Sequence, residues 1–172
     1  MAIYLLRHGE SEGNVLKINQ GRIDMPLTAR GREQAATAGR WLAKLGIKPD
    51  VIYASPLRRA WETAEIVAAE FGHQFTMREE DDVVEYHVGD IGGLTVEEID
   101  ARYPGFEHRA LDERGCWAEF GGESYEDVQT RLQRFIDTVI QDALGDGLSL
   151  SPDYGQASAA GLPGRDVICV SH

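Results

Sequence analysis

Apolar positions along the chain come in two arrangements: short near-continuous runs and longer stretches at helical spacing. Ile3-Tyr-Leu-Leu-Arg7, Val51-Ile-Tyr-Ala54 and Asp166-Val-Ile-Cys-Val-Ser171 are short runs without alternation, as expected of strands buried on both faces. Thr28 is placed to cap a helix reaching about Leu45, with Ala35, Ala38, Leu42 and Leu45 on one face and Gly46 as its stop. Ser55-Pro56 reads as the opening of a second helix that ends at Gly72, and Phe75-Thr-Met-Arg78 as a further strand. Thr95-Val-Glu-Glu98 has the form of a capping box before a short helix closed by Pro104. Ser124-Tyr-Glu-Asp127 opens the longest helix, whose Val128, Leu132, Phe135, Ile136, Val139 and Ile140 are expected to be core. Residues 11–27 show no period and contain Gly13, Gly21 and Pro26, so a loop is expected there. A long connection rich in Gly, Ser, Pro and Ala is expected over 145–165.

Strands flanking a helix point to a right-handed βαβ unit and a mostly parallel sheet. With 172 residues the chain has room for one domain, taken as 1–172, and no internal repeat is visible. Its apolar runs are far shorter than the roughly 20 residues of a membrane-spanning helix, and the start lacks the pattern of a secretory leader. A cytoplasmic protein with no membrane partner is therefore expected. Cys116 and Cys169 are too few for a disulfide framework and lack a paired metal-site spacing; Cys169 is expected to be a buried strand residue.

The net charge of −12 argues against nucleic acid as a partner. That charge is unevenly spread: residues 1–78 carry +3, residues 79–127 carry −13 and residues 128–172 carry −2. An anion site is accordingly sought among the arginines of the first segment. Two of the apolar runs end at histidines, His8 and His172, and a third ends before Ser55-Pro-Leu-Arg58. The carboxyl ends of parallel strands share one edge of a sheet, so the three polar sets can converge. Arg7 and Arg58 offer planar, permanently charged forks for phosphate oxygens. A neutral imidazole can attack phosphorus, and a carboxylic acid can protonate the departing oxygen. The combination points to phosphoryl transfer through a covalent phosphohistidine. His73, His87 and His108 show no metal-ligand spacing and read as surface or polar-core residues.

The ordered set Leu6-Arg-His-Gly-Glu-Ser11 with Asn14, Gly21-Arg-Ile-Asp-Met-Pro-Leu-Thr28 with Gly31 and Gln34, Ser55-Pro-Leu-Arg-Arg-Ala60 with Thr63, Glu85 through Gly93-Leu94-Thr95, Gly121-Gly-Glu-Ser124 and Val170-Ser-His172 resembles the histidine phosphatase superfamily. Its branches include cofactor-dependent phosphoglycerate mutases and the bisphosphatase domain acting on fructose 2,6-bisphosphate. The resemblance implies a three-layer α/β/α domain of the phosphoglycerate mutase type, with a mostly parallel central sheet. It implies His8 as nucleophile, Arg7, Arg58 and His172 as the phosphate clamp, and Asn14 as a neutral donor. Glu85 becomes the acid that protonates the leaving group and then activates water. No cofactor or metal is implied, because the arginine and histidine cluster supplies the positive charge.

The residues after Glu85 resemble the phosphatase branches, so a phosphomonoester hydrolase acting on a small phosphorylated metabolite, of the sugar phosphate or phosphoglycerate class, is expected. A cofactor-dependent mutase is the alternative within the family, and a noncatalytic phosphate-ligand or protein-binding module the alternative outside it. Members of the family continue past the second histidine, so the chain is expected to be cut short just after His172, with weakened activity.

Overall fold

The computed structural model describes residues 2–108, 116–144 and 166–172. The long connection expected over 145–165 lies outside the described residues. Four strands, β1 (Ile3–Arg7), β2 (Pro49–Ala54), β3 (Thr76–Glu79) and β4 (Asp166–Ser171), form one parallel sheet in the order β1-β4-β2-β3. Among the described residues the α-helices are α1 (Glu12–Val15), α2 (Ala29–Lys44), α3 (Arg58–Ala68), α4 (Val96–Arg102) and α5 (Tyr125–Leu144).

The two central strands are apolar on both faces because both faces are covered. Ile52, Ala54, Ile168 and Val170 pack against Leu42 of α2 and Ala60, Ala64 and Val67 of α3. Val51, Tyr53, Val167 and Cys169 meet Phe135 and Val139 of α5 on the opposite face. The result is the expected α/β/α sandwich, with Cys169 buried in its strand. A separate apolar cluster of Val88, Ile91, Ile99, Phe106 and Phe120 holds the acidic segment together.

Thr28 caps α2 through Gly31 N, Thr95 and Glu98 form the expected capping box on α4, and Gly46 follows α2 in a left-handed conformation. Several expectations need correction. The stretch 11–27 is not all loop: Ser11 and Asn14 cap each other reciprocally and wind the turn α1. Ser55 does not cap α3, which begins at Arg58; Asp24 Oδ1 accepts from Arg58 N at 2.6 Å and serves the free helix end from outside. That helix stops at Ala68, short of Gly72. In α5, Leu132 and Ile136 are exposed, because the inward row is Val128, Arg131, Phe135 and Val139, and the neighbouring row turns away from the sheet.

The ends of β1, β4 and β2 are knit by backbone bonds that run past the strands, His8 N to Ser171 O at 3.0 Å and Ser55 N to Val170 O at 3.1 Å. Gly9 then lies so close to the first turn of α2 that a Cβ would stand 2.3 Å from Gly31 O. This contact is why glycine follows His8.

Candidate active site

His8, Ser55 and His172 occupy three adjacent strand ends, and the loop carrying Glu85 closes over them. That loop is tied to β4 by Ser171 Oγ, which donates to Val83 O at 2.8 Å. A cleft of about 330 Å³ opens above, lined by Arg7, His8, Asn14, Gln20, Glu85, Tyr86, Val88, Trp117 and Tyr125 among others.

His8 is buried, and its Nδ1 lies 2.6 Å from Gly9 O. A carbonyl can only accept, so Nδ1 carries the proton and Nε2 presents its lone pair. Burial lowers the pKa of His8 to about 4, opposed by the Gly9 bond and reinforced by the charges of Arg59 and Arg7. The ring is therefore neutral and nucleophilic at neutral pH. Gly9 N donates to Thr63 Oγ1 at 3.0 Å, and Thr63 donates to Arg59 O at 2.7 Å, so α3 fixes the turn that aims the ring.

His172 stands beside it, the two ring centres 5.2 Å apart. Its Nδ1 accepts from Arg59 Nε at 3.2 Å, which leaves Nε2 to donate to Ser55 Oγ at 2.9 Å. Burial first, then Arg59 and His8, lower the pKa of His172 to about 2. With both nitrogens engaged, His172 is neutral and orients Arg59 in this geometry.

The phosphate-clamp arginine was expected at residue 58. Arg58 is exposed and Arg59 completely buried, and neither is among the residues that line the cleft. Arg59 Nη1 donates to Ile23 O and Nη2 to Gly21 O, each at 2.9 Å, and Nη2 lies 3.9 Å from Glu85 Oε2. The reason is helical phase: Ala60, Thr63, Ala64 and Val67 define the inward face of α3, and Arg59 falls on it while Arg58 is rotated outward by about 100°. Thr63 and Val67, four and eight residues on, were the signal for choosing Arg59.

Arg7, Asn14 and Glu85 all line the cleft beside His8. Arg7 is exposed on the cleft wall. Glu85 Oε2 is 3.9 Å from His172 Nδ1, and Glu85 Oε1 accepts from Tyr86 N at 3.1 Å. Asn14 lines the cleft with its Oδ1 bonded to Ser11 N at 2.9 Å, so its amide NH₂ is the group it can offer. Sequence reasoning passed over Ser55 Oγ and Glu123. The latter accepts from Arg22, Arg131 and His87 N.

A neutral imidazole among guanidinium groups, with a carboxyl group opposite and at the ends of parallel strands, defines a phosphoryl-transfer site of the histidine type. The histidine phosphatase superfamily (branch 1) matches residues 3–150, and the chain belongs to that family. It is 35% identical over 170 residues to glucosyl-3-phosphoglycerate phosphatase of Mycobacterium tuberculosis, covering 99% of this chain and 69% of that protein. It is 32% identical over 161 residues to a 2,3-bisphosphoglycerate-dependent phosphoglycerate mutase of Methylorubrum extorquens, covering 92% and 76%. Among solved structures, mycobacterial glucosyl-3-phosphoglycerate phosphatase complexed with VO₃ superposes with a TM-score of 0.73 at 34% identity, covering 98% of this chain and 73% of that one.

Proposed function

We propose that the protein is a phosphomonoesterase in which His8 Nε2 attacks phosphorus and carries the phosphoryl group. The observation that carries this reading is the His8 Nδ1 to Gly9 O bond, which makes Nε2 the free nucleophilic nitrogen beside two guanidinium groups. The P–O bond to the leaving group breaks as the N–P bond forms, and Glu85 gives its proton to the departing alkoxide. Glu85, now a carboxylate, takes a proton from water, which attacks the phosphohistidine and releases inorganic phosphate. Arg7 on the cleft wall, with the buried charge of Arg59 behind His172, stabilises the charge spread over the nonbridging oxygens. Dianionic phosphate beside His172 favours its imidazolium, so His172 joins the clamp once substrate arrives. Asn14 adds a neutral hydrogen bond.

For substrate, we propose a small metabolite with an uncharged, ring-bearing leaving group, met in the cytoplasm. Tyr86, Trp117 and Tyr125 give the outer cleft flat apolar faces, and Asn19 and Gln20 give it neutral polar ones. Among the described residues of that lining Arg7 is the one cationic side chain, which favours a hydrolase over a mutase that must hold a second phosphate. The test is release of inorganic phosphate from a panel of phosphomonoesters by the protein and by His8→Ala. Release that disappears in the variant is the expected result, and equal release by both contradicts the reading. Interconversion of phosphoglycerates dependent on 2,3-bisphosphoglycerate would instead favour the mutase.

A further inference from the structure

The Gly121-Gly-Glu-Ser124 motif makes no contact with the His8 nucleophile, yet it is built against the loop that carries Glu85. Glu123 N donates to His87 O at 2.7 Å, and Glu123 Oε2 accepts from His87 N at 2.8 Å, so one residue grips both backbone groups of His87. The glycines permit this approach: a Cβ on Gly122 would stand 2.2 Å from His87 O, and one on Gly89 would stand 1.8 Å from Phe120 O. On its other side Glu123 Oε1 accepts from Arg22 Nη2 at 3.0 Å, and Arg22 Nε donates to the carbonyl of Glu85 itself at 3.3 Å. Arg131, almost wholly buried, donates to Glu123 Oε1 at 3.1 Å and to Asp82 O at 2.7 Å. The backbone on both sides of Glu85 is thus braced through a single carboxylate, at Asp82 by way of Arg131, at Glu85 by way of Arg22 and at His87 directly.

We infer that Glu123 is a positioning residue for proton transfer, holding the Glu85 loop at the height where its carboxyl group reaches the leaving oxygen. This rests on Glu85 being the acid. Glu123 itself takes no proton and touches no reacting atom. Its charge keeps Arg22 and Arg131 in place, and Gln, which has one oxygen acceptor and no charge, cannot hold both guanidinium groups and His87 N. Misplacement of a reacting group by about 1 Å costs about 10²-fold in rate.

The experiment compares an alkyl phosphate, whose leaving alkoxide needs a proton, with an aryl phosphate such as p-nitrophenyl phosphate, whose leaving group departs without one. Glu123→Gln is expected to lower kcat/KM, which reports the transfer to His8, on the alkyl ester by about 10²-fold. On the aryl ester it should leave kcat/KM within a few-fold, while kcat falls for both esters because hydrolysis of the shared phosphohistidine also uses Glu85. Arg22→Met, at a partly exposed position that leaves the Glu123 and Arg131 pair intact, is expected to show the same selectivity in kcat/KM, weaker, and decides the matter if Glu123→Gln does not fold. Equal losses of kcat/KM on both esters, or none, overturn the inference. Glu85→Gln run alongside separates the two levels. If it shows no leaving-group selectivity, the assignment of the acid is wrong; if it does and the Glu123 and Arg22 variants do not, only the positioning role fails.

Discussion

Replacing Arg59 and Arg58 one at a time separates two neighbouring arginines with opposite fates. Arg59→Ala removes a guanidinium group with no exposed surface, three hydrogen bonds and the ion pair to Glu85. In the proposed mechanism, loss of this charge and of its hold on His172 lowers kcat by roughly 10²–10³-fold, or about 3–4 kcal/mol of transition-state stabilisation. Two carbonyls, Ile23 O and Gly21 O, are left without their donor at about 1–3 kcal/mol each, a sizeable part of the roughly 5–15 kcal/mol that holds a domain folded. Arg59→Lys keeps the charge but not the fork, so it cannot reach both carbonyls and His172 together, and activity stays low while stability is partly kept. Arg58→Ala alters an exposed side chain; the bond from its backbone N–H to Asp24 survives, and the change in stability is within about 0.5 kcal/mol. Steady-state phosphate release and urea denaturation on the three variants provide the assay. Activity lost in Arg58→Ala and retained in Arg59→Lys would refute the assignment.

Stability should also depend on acid in a defined window. His8 is held neutral, with a folded pKa of about 4 against 6.5 for the free side chain. Its contribution is complete above pH 6.5 and is lost as pH falls toward 4, on the order of 3 kcal/mol for His8 alone. His172, with its value near 2, extends the slope to lower pH, and since the two rings face each other they titrate as a pair. Denaturation midpoints between pH 7 and 4 should fall steeply, and less so in His8→Asn; parallel slopes would count against the neutral-imidazole assignment. Gly9→Ala forces a methyl group against Gly31 O and should cost about 1–3 kcal/mol, read as a lower thermal midpoint. Trp117→Ala should raise KM for esters with a ring-bearing leaving group and leave KM for a small one unchanged; a uniform rise would argue against the aromatic wall as the leaving-group subsite.

The strand ends were legible because buried parallel strands write themselves as unbroken apolar runs, so the residues after them, His8, Ser55 and His172, could be placed on one edge before any coordinates. Helix caps were legible where a side chain serves its own helix, as at Thr28 and Thr95. Where the cap comes from elsewhere, as Asp24 does for α3, local reading assigned it to the wrong residue. Choosing between Arg58 and Arg59 depended on helical phase, which the motif text alone does not weigh. Glu123 and Arg131 were out of reach for a different reason: their roles exist only through pairings with residues as far off as Arg22 and Asp82. Leu132 and Ile136 have the same apolar character as Phe135, and only the packing distinguishes the row that turns inward.

The central claim, covalent transfer to His8, is tested most directly by rapid acid-free quench of the protein turning over a radiolabelled phosphomonoester, followed by peptide mapping. The account predicts acid-labile, base-stable label on the peptide containing His8, absent in His8→Ala and accumulating when Glu85→Gln slows hydrolysis of the intermediate. Turnover with no label, or label on another residue, would contradict it.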